Sequence, residues 1–168
     1  RYRESAGATV RELTQRDVKM LPALGEADVL RAVEVLPGVV STSDFSSSFN
    51  VRGGGADQNL ILLDGLPIYN PFHLGGLFSV FNADMIARTE LLSGGFPAQY
   101  GGRVSSVLNV VSQAEGTGLD VQGGVSLLST RVAVGTDIPA GVLAAAGLES
   151  GRARISLRRS YFDQLLKP

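Results

Sequence analysis

No cysteine and no tryptophan occur in these 168 residues, and His73 is the single histidine. Without cysteine there is no disulfide framework and no thiolate-held zinc, although exported proteins often lack cysteine too, so the compartment stays open. A histidine-based metal centre or a histidine-activated nucleophile would need partners that this composition does not supply. His73 lies among Phe72, Leu74, Leu77, Phe78 and Phe81 and reads as a packed loop residue. Charge of one sign is missing as well: 15 Lys and Arg against 16 Asp and Glu leave a net charge of −1, which gives no case for nucleic acid as a partner. The longest aliphatic stretch, Gly141 to Leu148, is far below the ~18 residues of a membrane-spanning helix. No signal peptide is recognised at Arg1. The G-x-G-x-x-G fingerprint, the P-loop and the G-x-S-x-G elbow are all absent, so no cofactor is expected. Asp44, Asp57, Asp64, Asp84 and Glu90 are candidate acids, but Asp57 and Asp64 read as turn residues. No group of side chains points to catalysis, and an enzyme is not expected.

What the chain does have is glycine, 21 residues of it, and 44% apolar residues, enough for one core. The glycines cluster at 53–55, 75–76, 94–95 and 101–102, where each permits a sharp turn or a close backbone approach. The apolar run Asn59 to Leu63 is followed by Asp64-Gly65, a two-residue hairpin signal, and by Leu66 to Tyr69. Apolar residues on both faces of the first strand predict cover on both sides, and the hairpin is expected in the middle of the core. Pro67 suggests an edge position for the returning strand.

Earlier in the chain, Thr9 to Val18 reads as a short strand or a turn of helix, broken at Leu21-Pro22. Glu26 to Leu36 predicts a helix: Val29, Leu30, Val33 and Leu36 make one apolar face, Glu26 and Asp28 favour the first turn, and Pro37-Gly38 ends it. Ser41 to Asn50, rich in serine, reads as a flexible surface loop carrying Phe45 and Phe49. Asn82 is placed to cap a short turn through Met85-Ile86. Strands are expected at Arg88–Leu92 and Val104–Val111.

At Glu115 to Gly118 the texture changes. Three extended segments are expected, at about 119–127, 131–138 and 142–160, with a short turn at Pro139 to Gly141. In the last, Ala153, Ile155 and Leu157 alternate with Arg152, Arg154, Ser156 and Arg158 to give an apolar and a cationic face. Soluble half-buried strands alternate in the same way. Composition and spacing by themselves give a compact, glycine-rich α+β domain followed by amphipathic strands.

Four separated motifs resemble one family in order and spacing: Val51-Arg52-Gly53-Gly54, the segment LLDGLPIYNP, the segment ARTELLSGG, and Tyr100-Gly101-Gly102-Arg103. They look like the plug domain of TonB-dependent outer-membrane receptors. The resemblance covers about residues 10–112 and continues more weakly to Leu166. It implies an α+β plug with a mixed β-sheet and short helices over residues 1–115, then about three strands that begin a transmembrane β-barrel over 116–168. By this reading the chain is an excerpt of something longer at both ends, from the bacterial outer membrane. Its partners would be its own barrel, a TonB energy-transducing complex reached through a segment that precedes the plug, and a small extracellular ligand such as a siderophore, vitamin, glycan or peptide.

The resemblance also implies roles for particular residues. Arg52, Glu90 and Arg103 are candidates for contact between plug and barrel. Asp44, Phe45 and Phe49 are candidates for facing ligand from the serine-rich segment. One departure stands out: Leu92-Ser93-Gly94 occupies positions where many members carry Arg-Gly-Pro, so one expected plug cation is missing. The expected function is therefore a gating and ligand-contact module of a nutrient transporter. The alternative is a β-rich periplasmic or secreted ligand-binding domain unrelated to transport.

Overall fold

A computed structural model of the chain describes residues 2–5, 8–21, 26–43, 46–73, 76, 78–113, 116–126 and 129–161. The chain divides into two units, Arg1–Ser112 and Gln113–Pro168. In chain order the first holds β1 (Tyr2–Ser5), β2 (Ala8–Thr14), α1 (Gln15–Met20), α2 (Val29–Glu34), β3 (Val39–Ser43), β4 (Ser46–Val51), β5 (Asn59–Leu63), β6 (Leu66–Pro67), β7 (Phe72–His73), β8 (Phe78–Ser79), β9 (Ile86–Ser93) and β10 (Ser106–Ser112). Six of these strands form one mixed sheet in the order β1-β2-β9-β10-β5-β6. Only β5 and β10 run parallel within it, Asn59 opposite Ser106 and Leu63 opposite Val110. The remaining neighbours are antiparallel.

The α+β fold expected from the sequence is present, with changes in detail. The segment 9–18 uses both of its alternatives, a strand to Thr14 and then a helix. Thr14 and Asp17 form a capping box at that junction: Asp17 Oδ2 accepts from the Thr14 N–H at 2.8 Å, and Thr14 Oγ1 accepts from the Asp17 N–H at 3.3 Å. The Thr14 side-chain and backbone bonds hold the Asp17 carboxyl below the usual carboxylate value.

The second helix is shorter than expected. Asp28 is its N-cap, accepting from the Leu30 and Arg31 N–H groups, so Glu26 and Asp28 precede the first turn instead of lying in it. The other Asp28 oxygen accepts from the Ser79 N–H at 2.6 Å, which ties the helix start to β8. Asn82 caps the 3₁₀ turn Ala83–Met85, as its position predicts.

Two further expectations are corrected. Residues 41–43 and 46–50 are not a surface loop: they belong to β3 and β4, which pair antiparallel. Their serines are compatible with that pairing, because backbone hydrogen bonds and the burial of Phe49 and Val51, both 2% exposed, decide the conformation. The Asp64-Gly65 hairpin does form, with φ of 50° and 82° at the two turn residues. It does not hold the middle of the core, however. The returning strand β6 is two residues long, exposed, and at the sheet edge, where Pro67 removes no ladder bond. The centre of the sheet is the β9–β10 pair.

Both faces of β5 are nonetheless covered. On one, Ile61, Leu91, Leu108 and Val110 pack with Val29, Leu30 and Val33 of α2 and with Phe49 and Val51. On the other, Leu62, Leu92 and Val107 form a smaller cluster with Phe96 and Tyr100. Each fully buried Val or Leu there stabilises the fold by roughly 1.5–3 kcal/mol.

The second unit is an antiparallel sheet of β11 (Asp120–Val125), β12 (Ser129–Asp137) and β13 (Arg152–Ser160), with a short helix α3 (Ala140–Ala145) between the last two. That helix replaces the expected turn at 139–141 and the first part of the expected strand from Val142. Val121, Val125, Val132, Val134, Ile155 and Leu157 are exposed on one face. The other carries Asp120, Arg131, Arg152, Arg154 and Arg158, with Arg154–Asp120 at 2.7 Å and Arg152–Asp137 at 3.0 Å. Strand alternation sorts the two sets, one residue up and the next down. Among the described residues no helix is long and apolar enough to cross a membrane, which says nothing about strands.

Candidate functional site

The glycine-rich end of the six-stranded sheet gathers most of the motifs. At Val51-Arg52-Gly53-Gly54 the chain turns back on itself, the Gly54 N–H donating to the Val51 carbonyl at 2.9 Å. Both central residues are left-handed, Arg52 with φ of 48° and Gly53 with φ of 81°. Positive φ is uncommon for a residue with a Cβ and is a form of stored strain. Across the turn the Ser105 hydroxyl donates to the same Val51 carbonyl at 2.8 Å.

Arg52 leaves this turn and crosses the end of the sheet. Its stem passes Gly38, its guanidinium lies over Gly94, and Nη2 donates to Thr9 Oγ1 at 3.1 Å. A Cβ at Gly94 would stand 2.9 Å from Arg52 Nη1, so a glycine is what lets the cation lie there. Gly94 itself has φ of 69°, which favours glycine independently.

Glu90 sits four residues before Gly94, on β9, on the sheet face that also carries Leu92. Its Oε1 accepts from Arg88 Nε at 3.0 Å and its Oε2 from Asn109 Nδ2 at 3.2 Å. Glu12 stands directly across on β2, so two carboxylates face each other where like charges destabilise pairing. Arg88 and Asn109 offset that repulsion. Arg103, in the loop before β10, is exposed and donates to the Gly102 carbonyl at 3.0 Å. The structure thus sets Arg52 and Arg103 at the same end of the sheet and makes no ion pair between either of them and Glu90.

Of the three residues expected to face ligand, Asp44 and Phe45 lie outside the described residues. Phe49 is a correction: its ring belongs to the core, 2% exposed, because β4 alternates and Phe49 points inward like Val51.

A cleft that sequence reasoning missed lies beside these residues. It has a volume of about 290 Å³ and runs between the 3₁₀ turn Ala56–Gln58, the start of β5 and the segment 67–72. Its lining is mainly apolar, including Pro67, Pro71 and Phe72, and the polar residues Asp57, Asn59, Tyr69 and Arg103 also line it. Tyr69 is 89% exposed although it is a large aromatic. The signal in the sequence is Pro67-Ile68-Tyr69-Asn70-Pro71, an aromatic held between two prolines.

Residues 3–107 match the family described as TonB-dependent Receptor Plug Domain, well over half of the chain. The chain belongs to that family. The chain is 27% identical over 135 residues to the ferric enterobactin receptor of Pseudomonas aeruginosa, a match covering 70% of this chain and 18% of that receptor. Two solved structures of mutants of that receptor from P. aeruginosa share the fold. One, in complex with enterobactin, gives a TM-score of 0.61 at 22% identity and covers 94% of this chain and 25% of that one. The other gives 0.62 at 24% identity and covers 90% and 24%. This chain therefore spans between 18% and 25% of the length of these relatives. The match carries no support for a free-standing secreted binding domain.

Proposed function

We propose that this chain is the gating and ligand-contact module of an outer-membrane uptake receptor. Residues 1–115 form the plug, and residues from 116 onward supply the first strands of the barrel wall. The family match over residues 3–107 carries this reading. The second unit supports it: an antiparallel sheet with one exposed apolar face and one arginine-rich face suits a wall between lipid and a polar lumen. The transported ligand is a siderophore-class iron chelate, an assignment that the likeness to a ferric enterobactin receptor favours over vitamin, glycan or peptide.

In this reading the chain binds and gates; it does not catalyse. The plug closes the lumen, and a TonB complex supplies the work that moves it. Arg52 and Arg103 face the barrel wall at the sheet end, with Glu90 on the adjoining face. The apolar cleft beside them contacts ligand. The test is uptake of radioiron-loaded siderophores by cells carrying the full-length receptor, with and without an intact TonB system. Accumulation that needs both supports the reading. Equal accumulation in cells lacking the receptor, across hydroxamate, catecholate and carboxylate chelates, removes the iron assignment.

A further inference from the structure

The arginine face of the second unit carries more guanidinium than its carboxylates match. Strand register lays three rows across it: Asp120, Gly135 and Arg154; Gln122, Ala133 and Ser156; Gly124, Arg131 and Arg158. Beyond the first row Asp137 and Arg152 pair. We propose that this face holds a small, doubly charged oxyanion of the phosphate class, seated over Ala133 between Arg154 and the Arg131–Arg158 row. The inference concerns residues of the second unit alone and goes beyond the uptake reading.

Two glycines shape the site. A Cβ at Gly135 would stand 3.0 Å from Arg152 Nη2 and 3.5 Å from Arg154 Nη1, and one at Gly124 would stand 3.1 Å from Arg131 Nη2. Without those side chains, three guanidinium groups lie low across the sheet, from β13 over β12 and from β12 over β11. Ala133, buried and small, is the floor between the outer rows.

Arg154 is the residue that calls for a ligand. Its side chain is 5% exposed, and Nη1 lies 2.7 Å from Asp120 Oδ2. Nε and Nη2 are buried with no hydrogen-bond partner among the described residues. A buried charged donor left unpaired is costly. These two nitrogens form the side-on fork of the guanidinium, which matches two oxygens of one carboxylate or phosphate.

Charge narrows the choice. Among the described residues, four arginines on this face stand against Asp120 and Asp137, a surplus of two positive charges. Arg131 and Arg158 are also direct cross-strand neighbours, where like charges destabilise pairing. Chloride lacks the two oxygens, and a single carboxylate neutralises only part of the surplus. A phosphate dianion supplies both the oxygens and the charge. The low exposure of Arg154 favours a compact ion over a bulky chain.

The test is a phosphorus NMR titration of the full-length receptor in a phosphorus-free maltoside detergent at constant ionic strength. Inorganic phosphate is the probe in one arm and a short-chain phosphatidic acid in the other. Saturable binding at about millimolar concentration is expected. Arg154→Gln should weaken it about five-fold or more. Gly135→Val should weaken it with every charge kept. Arg159→Gln, exposed on the opposite face across from Thr130, should leave it unchanged. Phosphate should also raise the wild-type melting temperature more than chloride does, a readout that needs no variant. Tighter binding of inorganic phosphate supports the site as one for a free ion, and tighter binding of the lipid supports it as one for a headgroup. Equal affinity in wild type and Arg154→Gln, or an equal loss in Arg159→Gln, overturns the inference. So does the absence of saturable binding in both arms, which would mean that the receptor's own carboxylates complete the Arg154 fork.

Discussion

Gly54 and Ser105 occupy nearly the same space. A Cβ built on Gly54 would lie 2.3 Å from Ser105 Oγ and 2.6 Å from Ser105 Cβ, while that hydroxyl donates to Val51 at 2.8 Å. The glycine is thus fixed by a neighbour and not by its own backbone angle, in contrast to Gly53 with φ of 81°. Gly54→Ala should destabilise the plug by about 1–3 kcal/mol, the usual range for overpacking. Because the Ser105 Cβ clashes as well as the hydroxyl, Ser105→Ala should not rescue it and Ser105→Gly should, in part. A double-mutant cycle by chemical denaturation reads the coupling, and additive losses would show that the two residues do not compete for space.

Arg52→Ala should leave the plug folded. It loses the Thr9 hydrogen bond, a partly exposed contact worth about 0.5–1.5 kcal/mol. If Arg52 also contacts the barrel wall as proposed, the variant should change uptake, or admit large antibiotics through the receptor, by more than that small loss explains. A large fall in plug melting temperature with normal permeability and uptake would make Arg52 a structural tie of the turn.

Phe49→Ala should cost about 3–5 kcal/mol, as expected for emptying an aromatic site in a packed core. A ligand-facing loop residue would give the opposite pattern, normal stability with altered ligand affinity. Thermal melts of the variant separate the two.

The contrast between Phe49 and Asp64 shows what the sequence made legible. Asp64-Gly65 is a local signal: two residues dictate positive φ, and the structure has it. The Asn82 cap is local in the same way. Phe49 sits in a serine-rich stretch whose composition says loop, and only partners distant in sequence, α2 and Ile61, make it core. The strand order has the same origin, since β2 meets β9 some 80 residues later, with Val10 opposite Leu92. As for the candidate site, Arg52 and Arg103 could be singled out by motif, but their setting could not. The cleft needed residues 49, 57, 67–72 and 103 brought together, which no periodicity encodes.

Glu34 gives a pH test. Burial raises its carboxyl above the usual 4.5 against the pull of Arg31, whose Nη1 lies 3.3 Å from Glu34 Oε2. Asp28 adds a smaller push upward, and a Ser41 hydrogen bond a smaller pull downward. The folded state therefore binds this proton more tightly than the unfolded chain does. The penalty is full above the raised value, fades as pH falls through it, and is absent below 4.5. Glu34→Gln keeps an acceptor for Arg31 and should raise the melting temperature at neutral pH by about 1–3 °C. The gain should shrink as pH falls toward 4.5. A gain that instead grew with acidity would mean that the Arg31 attraction outweighs burial.

The parallel pairing of β5 with β10 carries a consequence for the order of events during synthesis. Asn59 finds its ladder partner in Ser106, 47 residues further on. Until that strand has been made, β5 has only the two residues of β6 beside it, and its apolar run waits without a neighbour. β2 pairs with β9 and β5 with β10, so the sheet is completed only once β10 has been made. Such long-range closure is slow compared with local helix or hairpin formation. As part of the proposed outer-membrane receptor the chain would gain from that delay, staying open long enough to be moved before it locks.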